Sequence, residues 1–173
     1  GDKAPREAVD RAADACERTG KYALRLYRPT IGFLVNRLQH AILHEAYYLI
    51  EQGVASAAEI DEAAKRLLAP RMCLNGLIQQ KDISGLKIHA DAQRSIVPAL
   101  TQNNIPNPML QAMVTRAEAG LAEGKGFYDW DGCEVQTVRT QASQQLKRLM
   151  DFLSKEMPAA APKTTPKPRD PRR

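Results

Sequence analysis

The sequence predicts a mainly all-α fold, and three observations carry that prediction. Residues 31–54, IGFLVNRLQHAILHEAYYLIEQGV, place apolar side chains at helical spacing around well over half a circumference. Ser56-Ala-Ala-Glu59 is a capping box that opens one further helix, and Asn107-Pro108 is a cap with proline in the first turn of another. From Val135 to Leu153, apolar residues recur at spacings of three and four. Only residues 21–28 alternate in the manner of a strand, and the rest of the chain offers that strand no sheet.

The elements follow in order. Residues 5–19 read as a short helix, with Pro5 in its first turn, a stripe of Val9, Ala12, Ala13 and Cys16, and Gly20 at its end. In residues 21–28, Tyr22, Leu24 and Leu26 alternate with Ala23, Arg25 and Tyr27. A lone strand leaves its backbone groups unpaired on both edges, so a missing sheet is implied. The helix of residues 31–54 follows, turned in by Gly32 and stopped by Gly53. Its apolar coverage predicts a central, buried element, and Asn36, Arg37, Gln39, His40, His44 and Glu45 exclude a membrane span. After the capping box, Ile60, Ala63, Ala64, Leu67 and Leu68 form the inward stripe of a helix expected to end before Pro70. Residues 71–88 read as irregular to helical, 88–100 and 107–117 as helices, and 120–130 as a glycine-interrupted loop. The last helix has the polar face of an outer element. The remainder, PAAAPKTTPKPRDPRR, has no large apolar residue to offset its ordering entropy and reads as disordered.

Composition narrows the function classes. With 173 residues, 43% apolar and 26% charged, the chain can bury one ordinary core. The net charge of +5 is located mainly at the end: residues 158–173 carry Lys163, Lys167, Arg169, Arg172 and Arg173 against Asp170 alone. The folded part is therefore close to neutral. Cys16, Cys73 and Cys133 lie far apart with no C-x-x-C pair and no secretory leader before them. That pattern predicts a cytoplasmic protein with reduced thiols and no cysteine metal site.

Few residues are placed to do chemistry. Asn36 sits one turn inside a mostly apolar helix; if buried it needs a partner, because an unsatisfied amide costs roughly 1–3 kcal/mol. A satisfied structural Asn and a cleft-facing Asn both fit. His40 and His44 share a helix face, but without the H-E-x-x-H order or a third ligand no metal site is expected. Gly124-Lys125-Gly126 supplies neither G-x-G-x-x-G nor a P-loop, so no cofactor-binding loop is expected in this chain. Phe127, Tyr128 and Trp130 read as rings closing a core.

Three motifs in order carry a family resemblance. Gly-Phe-Leu-Val-Asn-Arg-Leu at residues 32–38, with Glu45, Glu51 and Gly53 behind it, resembles the opening of the C-terminal domain of NAD-dependent 3-hydroxyacyl-CoA dehydrogenases. Gly76, Asp82, Gly85 and Leu86 resemble that family's middle segment, with Leu77 in place of its proline and Lys87 in place of its second aspartate. Gly124 to Trp130, Gly-Lys-Gly-Phe-Tyr-Asp-Trp, resembles its closing motif. Together the matches span residues 32–130.

The resemblance implies an all-α bundle of the 6-phosphogluconate dehydrogenase C-terminal type. Residues 1–30 would be the last helix and strand of a truncated Rossmann domain, 31–131 the substrate and dimerisation domain, 132–157 a C-terminal helix and 158–173 the basic tail. It implies Asn36 as a catalytic-cleft residue helping to hold substrate and a catalytic His, and Asn75 and Leu77 as residues facing the acyl chain. None of His40, His44 or His89 matches that His. The implied partners are a second copy of the chain and, in full-length context, an acyl-CoA, with no membrane and no nucleic acid. NAD would serve the full-length enzyme, with none bound by this chain alone, which would be inactive by itself. Relatives acting on sugar acids or carnitine keep the substrate open. The competing class is a noncatalytic helical interaction protein whose basic tail touches nucleic acid or an acidic membrane.

Overall fold

The computed structural model describes residues 4–156, and its architecture is all-helical. Eight α-helices follow one another: α1 Arg6–Arg18, α2 Phe33–Glu51, α3 Ala57–Ala63, α4 Ala69–Asn75, α5 Gln79–Ser84, α6 Leu86–Ile96, α7 Pro108–Thr115 and α8 Val135–Glu156. The described residues divide into two compact units that part between Ala112 and Met113, inside α7. No described helix is long and apolar enough to cross a membrane. The proline-rich tail lies outside the described residues.

Local sequence chemistry accounts for most boundaries. Ser56 accepts from the Glu59 amide at 3.3 Å while Glu59 accepts from the Ser56 amide at 2.8 Å, so the capping box forms as expected. The Asn107 side chain accepts from the Leu110 amide at 3.2 Å and caps α7. The Glu134 carboxylate accepts from the Gln136 amide at 2.9 Å at the start of α8. Its hydrogen bonds from Thr137 and Gln136 hold that carboxyl below its usual range.

Three expectations need correction. The helix expected to stop before Pro70 instead runs through a π-turn at Ala64–Leu68 into α4, with Pro70 in the first turn of the new segment. The wider π-turn makes room where proline has no N–H to give. Residues 21–28 form no strand. Strand geometry requires a ladder partner, and none exists among the described residues, so Tyr22 and Tyr27 stand 86% and 97% exposed. Arg25 nonetheless ties the segment to α1 through Asp10 at 3.2 Å and Asp14 at 3.8 Å.

The third correction concerns α2, expected to be central and buried. Its C-terminal half is half-buried around a buried Ala46, while Leu34, Val35, Leu38 and Ile42 on the N-terminal half are exposed. The reason is topological. The substantial helix–helix contacts join neighbours in sequence, so α2 is not wrapped by the helices that follow it. Among the described residues only Ala13, Ala46 and Met113 are buried apolar side chains. The helical faces that burial would normally cover are thus largely open in the single chain.

Candidate functional site

At the N-terminal end of α2 the chain makes an unusual entry. Gly32 and Phe33 both have left-handed backbone, at φ 78° and φ 48°. Glycine adopts that conformation freely, but for phenylalanine it is strained. The turn is closed by the Phe33 amide donating to the Thr30 carbonyl at 3.0 Å. It sets the first turn of α2 against the segment before it.

That arrangement encloses a cleft of ≈ 880 Å³. Val9 and Asp10 of α1, residues 24–29 and the stretch from Gly32 to Asn36 line it. Asn36 is exposed in this lining, and among the described residues its amide has no hydrogen-bond partner within the protein. The structural reading of Asn36 required a buried, satisfied amide, and the coordinates show neither burial nor a partner. Arg6, Arg25 and Arg28 also border the cleft, with Arg25 paired to Asp10, the single carboxylate of the lining, at 3.2 Å.

The other residues singled out from sequence are not brought to this cleft. Asn75 ends α4, the left-handed Gly76 follows, and Leu77 is 38% exposed; all lie at the α4–α5 junction, outside the cleft lining. His40 and His44 do not act together. His44 Nε2 lies 3.0 Å from the Asn103 carbonyl, which can only accept, so that nitrogen carries the proton and donates.

Sequence reasoning missed what the carboxylates of α2 do. Glu45 accepts from the Thr101 amide at 2.9 Å, and Glu51 accepts from the Asn107 side-chain amide at 3.3 Å. With His44 they fasten the loop between α6 and α7 to the flank of α2. The available signal was the pair of carboxylates, Glu45 and Glu51, on an otherwise largely apolar helix. Glu45 is half-buried and Glu51 exposed, and the incoming loop supplies a donor to each.

The closing motif, in the second unit, is a self-contained knot. The Gly120 amide donates to the Lys125 carbonyl at 2.7 Å, the Gly126 amide to the Tyr128 carbonyl at 2.9 Å, and the Trp130 amide to the Gly124 carbonyl at 2.8 Å. These amides face inward to the chain, so the glycines do not form a phosphate cradle. Glu118 accepts from Arg116 at 2.7 Å and lies 3.2 Å from the Lys125 ammonium. Those two cations hold its carboxyl below the usual carboxylate range.

With this geometry in hand, the relatives can be weighed. Residues 32–130 match the family described as 3-hydroxyacyl-CoA dehydrogenase, C-terminal domain. L-carnitine dehydrogenase from Pseudomonas aeruginosa is 30% identical over 130 residues, covering 73% of this chain and 40% of that protein. The mitochondrial hydroxyacyl-coenzyme A dehydrogenase of Mus musculus is 31% identical, over 68% of this chain and 37% of that protein. A solved structure of 5-formyl-3-hydroxy-2-methylpyridine 4-carboxylic acid 5-dehydrogenase superposes with a TM-score of 0.83 at 20% identity, over 90% of this chain and 50% of that one. That likeness establishes the fold. The chain spans half or less of the length of each of these relatives. The motif order, the helical architecture and the family match over residues 32–130 agree, and the chain belongs to the 3-hydroxyacyl-CoA dehydrogenase family, whose C-terminal domain those residues form.

Proposed function

We propose that this chain supplies one wall of the substrate cleft, and the subunit interface, of an NAD-dependent 3-hydroxyacyl-CoA dehydrogenase of fatty-acid metabolism. That enzyme oxidises a 3-hydroxyacyl-CoA to the 3-oxoacyl-CoA. The observation that carries the reading is the exposed amide of Asn36 on the cleft wall at the start of α2, without a hydrogen-bond partner among the described residues. An amide held on a helix can accept from a hydroxyl or imidazole and donate to a carbonyl, which is what positioning substrate against a general base requires. The strained Gly32–Phe33 entry fixes where that amide stands.

NAD supplies the hydride acceptor when the full-length enzyme holds it. The described residues do not fit its pyrophosphate, because the glycine-rich amides of the closing motif are spent on their own loop. Alone, the chain therefore binds NAD poorly and turns over no substrate. Asn75 and Leu77 are proposed to meet the acyl chain in the assembled enzyme. Three free, exposed thiols support a reducing, cytoplasmic setting. The uncovered apolar half of α2 supports a two-fold dimer through this domain.

The test is Asn36→Ala in the full-length enzyme. Turnover should fall at least about tenfold, or about 1.4 kcal/mol of barrier, with the thermal midpoint unchanged because the side chain is exposed. Unaltered kcat would remove Asn36 from the chemistry.

A further inference from the structure

Helix α8 lies beyond the family-matched residues, and it is amphipathic with much of its apolar face exposed among the described residues. Val138, Ala142, Leu146, Leu149 and Leu153 recur at spacings of three and four along one arc. Leu146, Leu149, Met150 and Phe152 are 50–61% exposed. Lys147, Arg148 and Lys155 stand on the opposite face, with Asp151 the one acid among them. From Val135 to the last residue the sequence holds nine basic side chains against three acidic, while the 134 residues before it hold sixteen against seventeen. The chain's net positive charge therefore comes from α8 and the stretch that follows it.

We propose that α8 docks on an anionic lipid surface. It would lie in the headgroup plane with the Leu146–Leu149–Leu153 arc inserted and its lysines and arginines on lipid phosphates and carboxylates. Helices with a basic polar face and a Leu/Phe apolar face behave this way, and clustered Lys and Arg add attraction to acidic lipid. Charge decides against the other occupants. A second copy would bring together two stretches that, from Val135 onward, each carry nine basic side chains against three acidic. A nucleic acid would neutralise the cations but leave Leu149 and Phe152 in water. Docking differs from spanning, which no described helix can do. It departs from the expectation, drawn from the family resemblance, that the chain touches no membrane.

The experiment is co-sedimentation of the full chain with phosphatidylcholine vesicles, with and without phosphatidylserine, across a salt series. Binding should require phosphatidylserine and weaken as salt rises. Leu149→Gln with Phe152→Gln, which changes no charge, should weaken it at least about tenfold, as should Arg148→Glu with Lys155→Glu. All four side chains are exposed, so helicity by circular dichroism should hold in both variants. Absence of binding to the acidic vesicles overturns the proposal. So does full affinity in the Leu149/Phe152 variant, which would leave only charge. Conversion of dimers to monomers by that variant would assign the face to a second copy, and tighter binding to duplex DNA than to vesicles would assign it to nucleic acid; either result overturns the proposal.

Discussion

Gly126 is a glycine because the backbone of Gly120 lies against it. A Cβ added there would come within 2.9 Å of the Gly120 Cα and 3.2 Å of its nitrogen, and backbone cannot swing aside as a side chain can. Gly126→Ala should therefore destabilise the closing knot by about 1–3 kcal/mol, the range for overpacking, seen as a lower denaturation midpoint. Equal stability would mean the close approach relaxes at no cost. Glu118 belongs to the same knot. Arg116 and Lys125 depress its carboxyl, so its folded pKa lies below its unfolded one. The stability it contributes is complete above the ordinary value of 4.5 and is lost as pH falls through the lower folded value. Thermal midpoints taken across pH should fall below that value, and Glu118→Gln should flatten part of that fall. The effect is small, because Arg116 and Lys125 are more than half exposed and water screens them. An unchanged acid slope in the variant would take Glu118 out of the account. The glycines of this motif were visible in sequence, but the Gly120–Gly126 approach was not, since it depends on how the loop folds back.

Among the elements, α2 organises the first unit through its polar strip as much as through its apolar face. Asn107 shows this: it is 7% exposed, caps α7 through Leu110 and donates to Glu51 across the helix pair. Asn107→Ala removes a helix cap and the donor to the exposed Glu51 carboxylate, so a loss of about 1–2 kcal/mol, mostly from the cap, is expected in chemical denaturation. Asn107→Asp should retain the cap but repel Glu51. An Ala variant as stable as the parent would show that water replaces both contacts. The Asn107 cap and the Ser56 box were legible because capping is chemistry between residues close in sequence, and the start of α8 was legible from its apolar spacing. The π-turn before α4 was not, because proline signals a disturbance without saying whether the helix ends or widens.

At the scale of the whole molecule, the decisive feature is how little of the apolar surface one chain covers. Val35 is 60% exposed, Leu38 45% and Ile42 47%, on a helix whose composition belongs in a core. If a second copy covers that face, sedimentation should give dimers that persist after residues 158–173 are removed, and Leu38→Asp with Ile42→Asp should yield folded monomers. Monomers of the parent chain at micromolar concentration would count against the dimer. The sequence by itself determined the longer helices, two of the caps and the family resemblance, because periodicity, capping and motif order are written in short spacings along the chain. Only the tertiary structure decided that α2 is half uncovered, that Asn36 opens onto a cleft while Asn75 and Leu77 do not, and that Glu45 and Glu51 clasp a distant loop. Burial and contact depend on residues some fifty positions apart arriving at one place, and no local pattern specifies that arrival.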